Sequence, residues 1–173
     1  MSSRLRRGFT LVELLVAMAI GLLLLLMAMP GYVRWVADAE ILNGAESIAN
    51  GLREAQADAI ARNLNVQFVL AGGGWAVQMA DPPNATLTRA TFQEGSRNAT
   101  VVGVDAGGLG ATTVAFSALG QVLPNATNLV QIDVTEPAVA GTRPLRIIVG
   151  NGRTGVKICD PLFANPADPK ACP

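Results

Sequence analysis

The chain has 173 residues, half of them apolar, and its 13 basic residues balance 13 acidic ones. It contains no histidine, which excludes histidine-based acid–base catalysis and histidine metal ligands, and it has no phosphate-cradling loop or dinucleotide fingerprint. We therefore predict no enzyme activity, no cofactor, no metal and no small-molecule substrate. The length beyond the apolar N-terminal run fits one domain.

The N-terminus carries a membrane-length apolar run directly after a short basic leader. Arg4, Arg6 and Arg7 precede the run, and Leu14–Val33 contains no charge over 20 residues. A helix of that length is about 30 Å long, enough to cross the hydrocarbon core of a bilayer. No small-residue cleavage site follows the run, so we expect it to be retained. The arginines would stay on the cytoplasmic face, with the rest of the chain across the membrane.

One acidic residue stands at the start of this run. Glu13 follows directly on the leader region and precedes the uncharged segment. A carboxylate close to lipid is costly unless it meets a partner, so we interpret Glu13 as a functional residue. The alternative is an ordinary single-pass anchor whose glutamate lies at the membrane interface.

Residues Gly8–Glu13, with the sequence GFTLVE, resemble the class III signal of type IV prepilins and type II secretion pseudopilins. The resemblance implies that a prepilin peptidase and methyltransferase cuts after Gly8 and methylates Phe9. It also implies that Glu13 is the acidic position used in subunit assembly, and that Pro30 loosens the helix. The free amine of Phe9 on a neighbouring subunit would then pair with Glu13 and favour a staggered filament.

The helical pattern continues beyond the membrane run. Apolar residues recur at spacings of three and four between Tyr32 and Asn63, which predicts one apolar stripe on a helix that begins at Phe9. Gly44 and Gly51 are each expected to weaken this helix by about 1 kcal/mol relative to alanine. The predicted stripe consists of Val36, Leu42, Ala45, Ile48, Ala49, Leu52, Ala55 and Ala59.

After Asn63 the apolar pattern changes to a period of two, which predicts short strands separated by turns. Gly72–Gly74 is predicted to be a turn, and the proline-containing stretch Asp81–Ala90 to be a loop. The short connections favour antiparallel pairing. The predicted strands are Val66–Leu70, Trp75–Met79, Ala99–Val104, Thr112–Phe116, Leu129–Val134, Leu145–Val149 and Val156–Cys159.

The two cysteines lie near the C-terminus. Cys159 ends the last predicted strand, and Cys172 follows a proline-rich tail. In an oxidising compartment across the membrane we expect them to form a disulfide that attaches the tail to that strand and stabilises the fold by roughly 3 kcal/mol. The alternative is two free thiols in a disordered tail.

The chain has a long helix, then strands only, then a tail that we expect to be attached by a disulfide. In this order it resembles the GspH/FimT family of minor pilins and pseudopilins. The segments that carry this resemblance are Phe116–Val122, with the sequence FSALGQV, and Leu145–Val149 leading into Gly152-Arg153. The match is looser here than at the N-terminus, and Asp81–Leu109 carries no recognisable signature.

The hairpin predicted around Gly152-Arg153 is also a candidate for DNA contact. FimT-like minor pilins of naturally competent bacteria bind DNA through a basic motif in this region, so the resemblance makes Arg153 and Lys157 candidate DNA contacts, helped by Arg143 or Arg146. The second basic residue is spaced differently here and is a lysine. Removal of residues 1–8 would leave 10 basic and 13 acidic residues, a net charge of −3 that disfavours a polyanion.

We therefore predict an α+β fold of the pilin type, in which a long N-terminal helix packs on an antiparallel sheet. The predicted division is a leader at 1–8, a transmembrane and assembly helix at 9–33, its amphipathic second half at 34–63 and a periplasmic β-rich domain at 64–173.

The predicted function is that of a minor pilin or pseudopilin subunit of a type IV pilus or type II secretion filament, with a structural role that primes assembly at the tip. One alternative is the type II secretion pseudopilin H, acting in protein export. Another is a FimT-like DNA receptor for natural transformation. The expected partners are other pilin or pseudopilin subunits, the prepilin peptidase and the inner membrane.

Overall fold

A computed structural model describes residues 9–80, 85–92, 95–150, 155–163, 165 and 168–172. Its first element is a single helix, α1, at Leu11–Arg62, which is 52 residues long. The prediction of one long helix is confirmed. α1 ends where Asn63 adopts a left-handed conformation with φ 53°, which asparagine tolerates better than most residues. The Leu64 N–H then donates to the Ala59 carbonyl at 3.2 Å and closes the helix end.

Eight strands follow α1. Their bounds are β1 Val66–Ala71, β2 Gly74–Met79, β3 Thr86–Thr91, β4 Thr100–Val104, β5 Thr113–Phe116, β6 Gln131–Thr135, β7 Leu145–Val149 and β8 Val156–Cys159. The seven predicted strands are confirmed within two residues at each end.

The prediction of a loop over Asp81–Ala90 is wrong for its second part. Thr86–Thr91 forms β3, which pairs antiparallel with β2 at the edge of a sheet. The proline pair at 82 and 83 suggested a loop for the whole stretch, whereas the β-branched threonines at alternate positions of the stretch that follows favour an extended strand. None of its residues is fully buried, so its apolar alternation is weak.

The strands form two four-stranded antiparallel sheets instead of the single sheet predicted. The first has the order β3-β2-β1-β5, and the second has the order β4-β6-β7-β8. The α+β class with antiparallel strands is confirmed. β5 pairs with β1 in the first sheet. β4 and β6, which precede and follow β5 in the chain, pair with each other in the second sheet. Alternation in a sequence reports which face of a strand is buried and not which strand lies beside it.

The core lies between the second half of α1 and the inner faces of both sheets. Phe68 of β1 stacks on Trp75 of β2 with ring centroids 5.8 Å apart, and the Trp75 indole N–H donates to Ser47 Oγ of α1 at 3.0 Å. The largest side chains buried there are Phe68, Ile41, Ile48, Leu52, Leu129, Ile132, Ile147, Val66, Val77, Val114 and Val134.

The predicted helix stripe is largely confirmed, with a shift at its start. Leu42 is 45% exposed and Val36 is half-buried, while Ala37 and Ile41 occupy the core face in their place. Gly51 is also buried, and a Cβ added there would lie 2.8 Å from the Trp75 ring. The sequence indicated only the helix-weakening effect of this glycine, whereas the structure shows that it permits close packing of α1 on β2.

Candidate functional site

The first turn of α1 is a capping box. The Glu13 backbone N–H donates to Thr10 Oγ1 at 3.2 Å, and the Thr10 N–H donates back to Glu13 Oε2 at 3.5 Å. Thr10 therefore starts the helix with an extended backbone, at φ −77° and ψ 152°. Phe9 precedes it and is 83% exposed. The predicted cleavage residue Gly8 lies outside the described residues.

Glu13 has acceptor capacity left in this arrangement. Its side chain is exposed, and the bond from Thr10 is long at 3.5 Å, whereas an ionised carboxylate offers about four lone-pair sites. The next charged residue along the chain is Arg34, about 30 Å further along the helix. Within the described residues, then, no cation pairs with Glu13. A cationic donor for this carboxylate would have to come from outside the described part of the chain.

The first half of α1 is exposed, and it approaches the rest of the described chain only at its end, where Tyr32, Val33 and Arg34 lie beside the turn that follows β6. Between Leu11 and Trp35 every residue except Gly21 is exposed, although most are large and apolar. α1 is the one helix in the described residues that is long and apolar enough to cross a membrane. A helix that is apolar all round is stable only in lipid or among other apolar helices. This surface therefore requires lipid or other apolar helices around it.

Pro30 lies inside α1, near the end of the apolar run. Proline has no backbone N–H, so one hydrogen bond of the helix ladder is missing at this point. The helix nevertheless continues through it.

The C-terminal tail is attached to the last strand by covalent and hydrogen bonds. Cys159 and Cys172 form a disulfide, which confirms the predicted pairing. The Asp160 N–H donates to the Lys170 carbonyl at 2.8 Å, and Asp160 and Ala171 form an isolated parallel bridge. Lys157 Nζ donates to the Ala171 carbonyl at 3.0 Å. Lys157 therefore helps to hold the tail.

The other basic side chains near this hairpin are also engaged by acidic groups. Arg146 donates to both carboxylate oxygens of Asp133 at 2.7 and 3.1 Å. Arg143 Nε lies 3.9 Å from Asp160 Oδ2, and its guanidinium lies 5.9 Å from the centre of the Phe163 ring.

The fourth basic residue, Arg153, lies outside the described residues. DNA contact by Arg153 and Lys157 stays a prediction. Lys157 and Arg146 use part of their donor capacity on these partners, whereas Arg143 is 65% exposed.

Two acidic residues that the sequence did not single out for binding also stand out. Glu40 accepts from Asn98 at 3.0 to 3.2 Å, while the buried Glu136 has one carboxylate oxygen without a hydrogen-bond partner in the described residues. Glu136 lies in a turn before Pro137, a pattern that predicts a solvated loop. No sequence signal of burial marks it. Among the described residues there is no cluster of three or more metal-ligating side chains.

Comparisons with known proteins agree with the fold. A model of the prokaryotic N-terminal methylation motif matches residues 3–29, and a model of type II transport protein GspH matches residues 44–153. No curated protein sequence matches the chain significantly.

Several solved structures resemble this one. The minor pseudopilin EpsH from the type 2 secretion system of Vibrio cholerae has a TM-score of 0.52 at 12% identity, covering 72% of this chain and 99% of that one. The type IV minor pilin FimU of Pseudomonas aeruginosa gives 0.48 at 14%, covering 72% and 99%. E. coli GspH gives 0.47 at 14%, covering 76% and 95%. At such identities the likeness to EpsH concerns the fold alone.

Proposed function

The chain belongs to the family of type II transport protein GspH, whose members are structural pilin and pseudopilin subunits, and we propose how it enters a filament. It is inserted in the inner membrane with its β-rich domain on the periplasmic side. The leader, residues 1–8, is removed after Gly8, and Phe9 is then methylated. The proposed membrane and assembly segment is 9–33, the packed helix half is 34–63, and the β-rich domain is 64–173.

The observation that carries this proposal is the apolar half of α1 with a carboxylate at its start. The surface from Leu11 to Trp35 is exposed in the isolated chain, and Glu13 keeps acceptor sites beyond its capping box. In a filament the apolar surfaces of neighbouring helices would pack together. The amine of Phe9 on one subunit would donate to Glu13 of the next and fix the axial step between them.

Replacing Glu13 tests the proposal directly. We expect Glu13→Ala to be trimmed normally but to enter filaments roughly tenfold less than wild type, because one charge pair near lipid is lost. The measurement is the amount of subunit in sheared filaments, with intact mass to confirm a chain that begins at Phe9. Glu46→Ala, which removes an exposed carboxylate from the other half of α1, is the matched control.

Two outcomes would contradict the proposal. One is normal incorporation of Glu13→Ala, which would leave Glu13 as an ordinary interfacial residue. The other concerns processing: a bulky substitution at Gly8 is expected to leave residues 1–8 attached, and a mature chain that still begins at Phe9 would show that cleavage does not depend on this glycine.

Two machines are candidates for the filament. We propose a type IV pilus, in which the chain would act as a minor pilin that primes assembly, because the disulfide-bonded tail favours a pilus protein. A type II secretion pseudopilus is the second candidate, favoured by the secretion protein whose family model matches residues 44–153. The genes beside this one distinguish the two, since pilus-biogenesis and secretion genes differ. DNA uptake is not proposed, because residues 9–173 hold 10 basic and 13 acidic residues, a net charge of −3 that disfavours a polyanion.

A further inference from the structure

A pocket lies where α1 leaves the domain, at the end of the uncharged run. Its cavity volume is about 260 Å³. One wall is the helix segment from Tyr32 to Glu40, and the other is the turn that follows β6. The lining residues are Tyr32, Val33, Val36, Ala37, Glu40, Asn98, Glu136, Ala138 and Val139.

The two carboxylates of this pocket differ in their bonding. Glu40 is engaged by the backbone N–H and side-chain amide of Asn98. Glu136 is only 4% exposed; its Oε1 accepts from the Ala138 N–H at 3.2 Å, and its Oε2 has no partner in the described residues. Oε2 itself has almost no accessible surface. A buried carboxylate oxygen without a partner is costly, because the lost hydration is not replaced. A cationic donor in the pocket would remove this cost once the Glu136 side chain turned Oε2 toward it.

The pocket lies at the depth of lipid headgroups if 9–33 spans the membrane, as proposed above. From Val33 to Ala37 the helix rises about 6 Å, less than the thickness of a headgroup layer. Tyr32 and Trp35 are 65% and 66% exposed, with ring centroids 6.2 Å apart, as in the aromatic belts of membrane proteins.

A basic side chain lies beside the same turn. A Cβ added at Gly141 would lie 3.1 Å from Arg34 Cζ, so the Arg34 guanidinium packs against the backbone that carries Ala138 and Val139. Arg34 makes no ion pair within the described part of the chain. An unpaired cation therefore stands next to a pocket that holds an unsatisfied anion.

We propose that this pocket, together with Arg34 beside it, binds the headgroup of an amine-bearing phospholipid of the phosphatidylethanolamine type. On binding, the Glu136 side chain turns so that Oε2 accepts from the lipid ammonium, and the lipid phosphate pairs with Arg34, so both charges of the headgroup meet an opposite charge. The apolar wall of Tyr32, Val33 and Val36 continues into the surface that faces lipid. The bound lipid would hold the domain at a fixed height on the membrane before the subunit enters a filament. This inference rests on the proposed membrane orientation.

Lipid selectivity of the full processed chain tests the proposal. The chain is purified in mild detergent and given phosphatidylethanolamine, phosphatidylcholine or phosphatidylglycerol with identical acyl chains, and bound lipid is counted by native mass spectrometry. We expect about fivefold more phosphatidylethanolamine than phosphatidylcholine on the wild type, because choline has no N–H to donate. Glu136→Gln keeps the acceptor for Ala138 but removes the charge, and is expected to abolish this preference.

Further variants separate the two ends of the headgroup. Glu46→Gln, on an exposed part of α1, is expected to bind lipid as the wild type does. Arg34→Gln is expected to weaken phosphatidylethanolamine and phosphatidylglycerol alike, since both carry the phosphate. Ala138→Phe fills the pocket without changing a charge and is expected to weaken phosphatidylethanolamine; it replaces Glu136→Gln if a melting curve shows that the latter is unfolded.

The proposal is overturned if the wild type shows no preference for phosphatidylethanolamine, or if Glu136→Gln and Ala138→Phe both keep it. It is also overturned if Glu136→Gln changes only the crosslinking of the chain to other filament subunits, which would make the occupant a basic side chain of a protein. Absence of lipid preference in a chain that still enters filaments defeats this inference alone. Lipid preference in a chain that never enters filaments defeats the assembly proposal instead.

Discussion

The two halves of α1 share one continuous backbone but differ in composition and in burial. From Leu11 to Trp35 the helix is rich in leucine, apolar all round and exposed. From Val36 to Arg62 it is rich in alanine, and buried residues recur every three or four positions on one face. The composition of the second half is explained by the sheets that it packs against. The composition of the first half is explained only by contact with lipid or with other subunits, because the isolated chain does not bury these side chains.

The difference predicts that equal truncations in the two halves have unequal effects on stability. Ile48 is fully buried, and we expect Ile48→Ala to lower the free energy of unfolding by about 3 kcal/mol, through lost burial and the cavity left behind. Leu24 is 62% exposed, and Leu24→Ala should leave the unfolding of the domain unchanged. The measurement is denaturant unfolding of the full chain in one detergent, monitored by near-ultraviolet circular dichroism.

A large effect of Leu24→Ala would break the comparison. It would mean that the exposed half supports the domain through contacts absent from the isolated chain. Equal small effects of both truncations would instead mean that the helix face at Ile48 is not the centre of the core.

Two glycines make the same comparison without removing any side chain. A Cβ at Gly51 would lie 2.8 Å from three atoms of the Trp75 ring, whereas a Cβ at Gly21 would meet nothing within 4 Å. Alanine is the better helix former by about 1 kcal/mol at both positions. We expect Gly51→Ala to destabilise the domain by about 2 kcal/mol despite that gain, because the Trp75 ring must move in a packed core.

Gly21→Ala is the matched control for Gly51→Ala. It should leave the melting of the domain unchanged, and the near-ultraviolet signal of the native state should stay as in the wild type. Stabilisation of the domain by Gly51→Ala would show that the Trp75 ring relaxes freely, and that the close approach of α1 and β2 is not a constraint.

The regular parts of the fold could be predicted because they rest on local patterns. The 3.6-residue period gives α1, and the period of two gives seven strands, since each pattern follows from the geometry of its element. β3 was missed because none of its residues is fully buried and a proline pair lies shortly before it. The two-sheet arrangement was missed because pairing between β1 and β5 joins residues distant in sequence. The packing role of Gly51 depends on the same long-range contacts.

The candidate sites were predictable to different degrees. The Thr10-x-x-Glu13 spacing is the signature of a capping box and was present in the sequence, although only the charge of Glu13 was interpreted. The bond from Lys157 to the tail depends on where the disulfide places Ala171. The burial of Glu136 depends on how the turn after β6 folds against α1, which no local pattern reports.

The smallest effect that we predict concerns the capping box at the start of the exposed half. Thr10→Ala removes the acceptor of the Glu13 N–H and should destabilise the first turn by about 1 kcal/mol, while Thr10→Ser should retain it. The measurement is amide hydrogen exchange at Glu13 in detergent, where the alanine variant should exchange roughly fivefold faster.

The first residue of α1 that is buried in the domain is Ala37, about 40 Å along the helix from Thr10, so the unfolding of the domain should not change in either variant. Unchanged exchange in Thr10→Ala would mean that the detergent, and not the side chain, satisfies the first turn. If exchange rises and filament incorporation also falls, the cap acts in assembly by holding the Glu13 carboxylate in place. If exchange rises while incorporation stays normal, a neighbouring subunit can replace the cap, and the exposed half is ordered by its partners, as the packed half is ordered by the sheets.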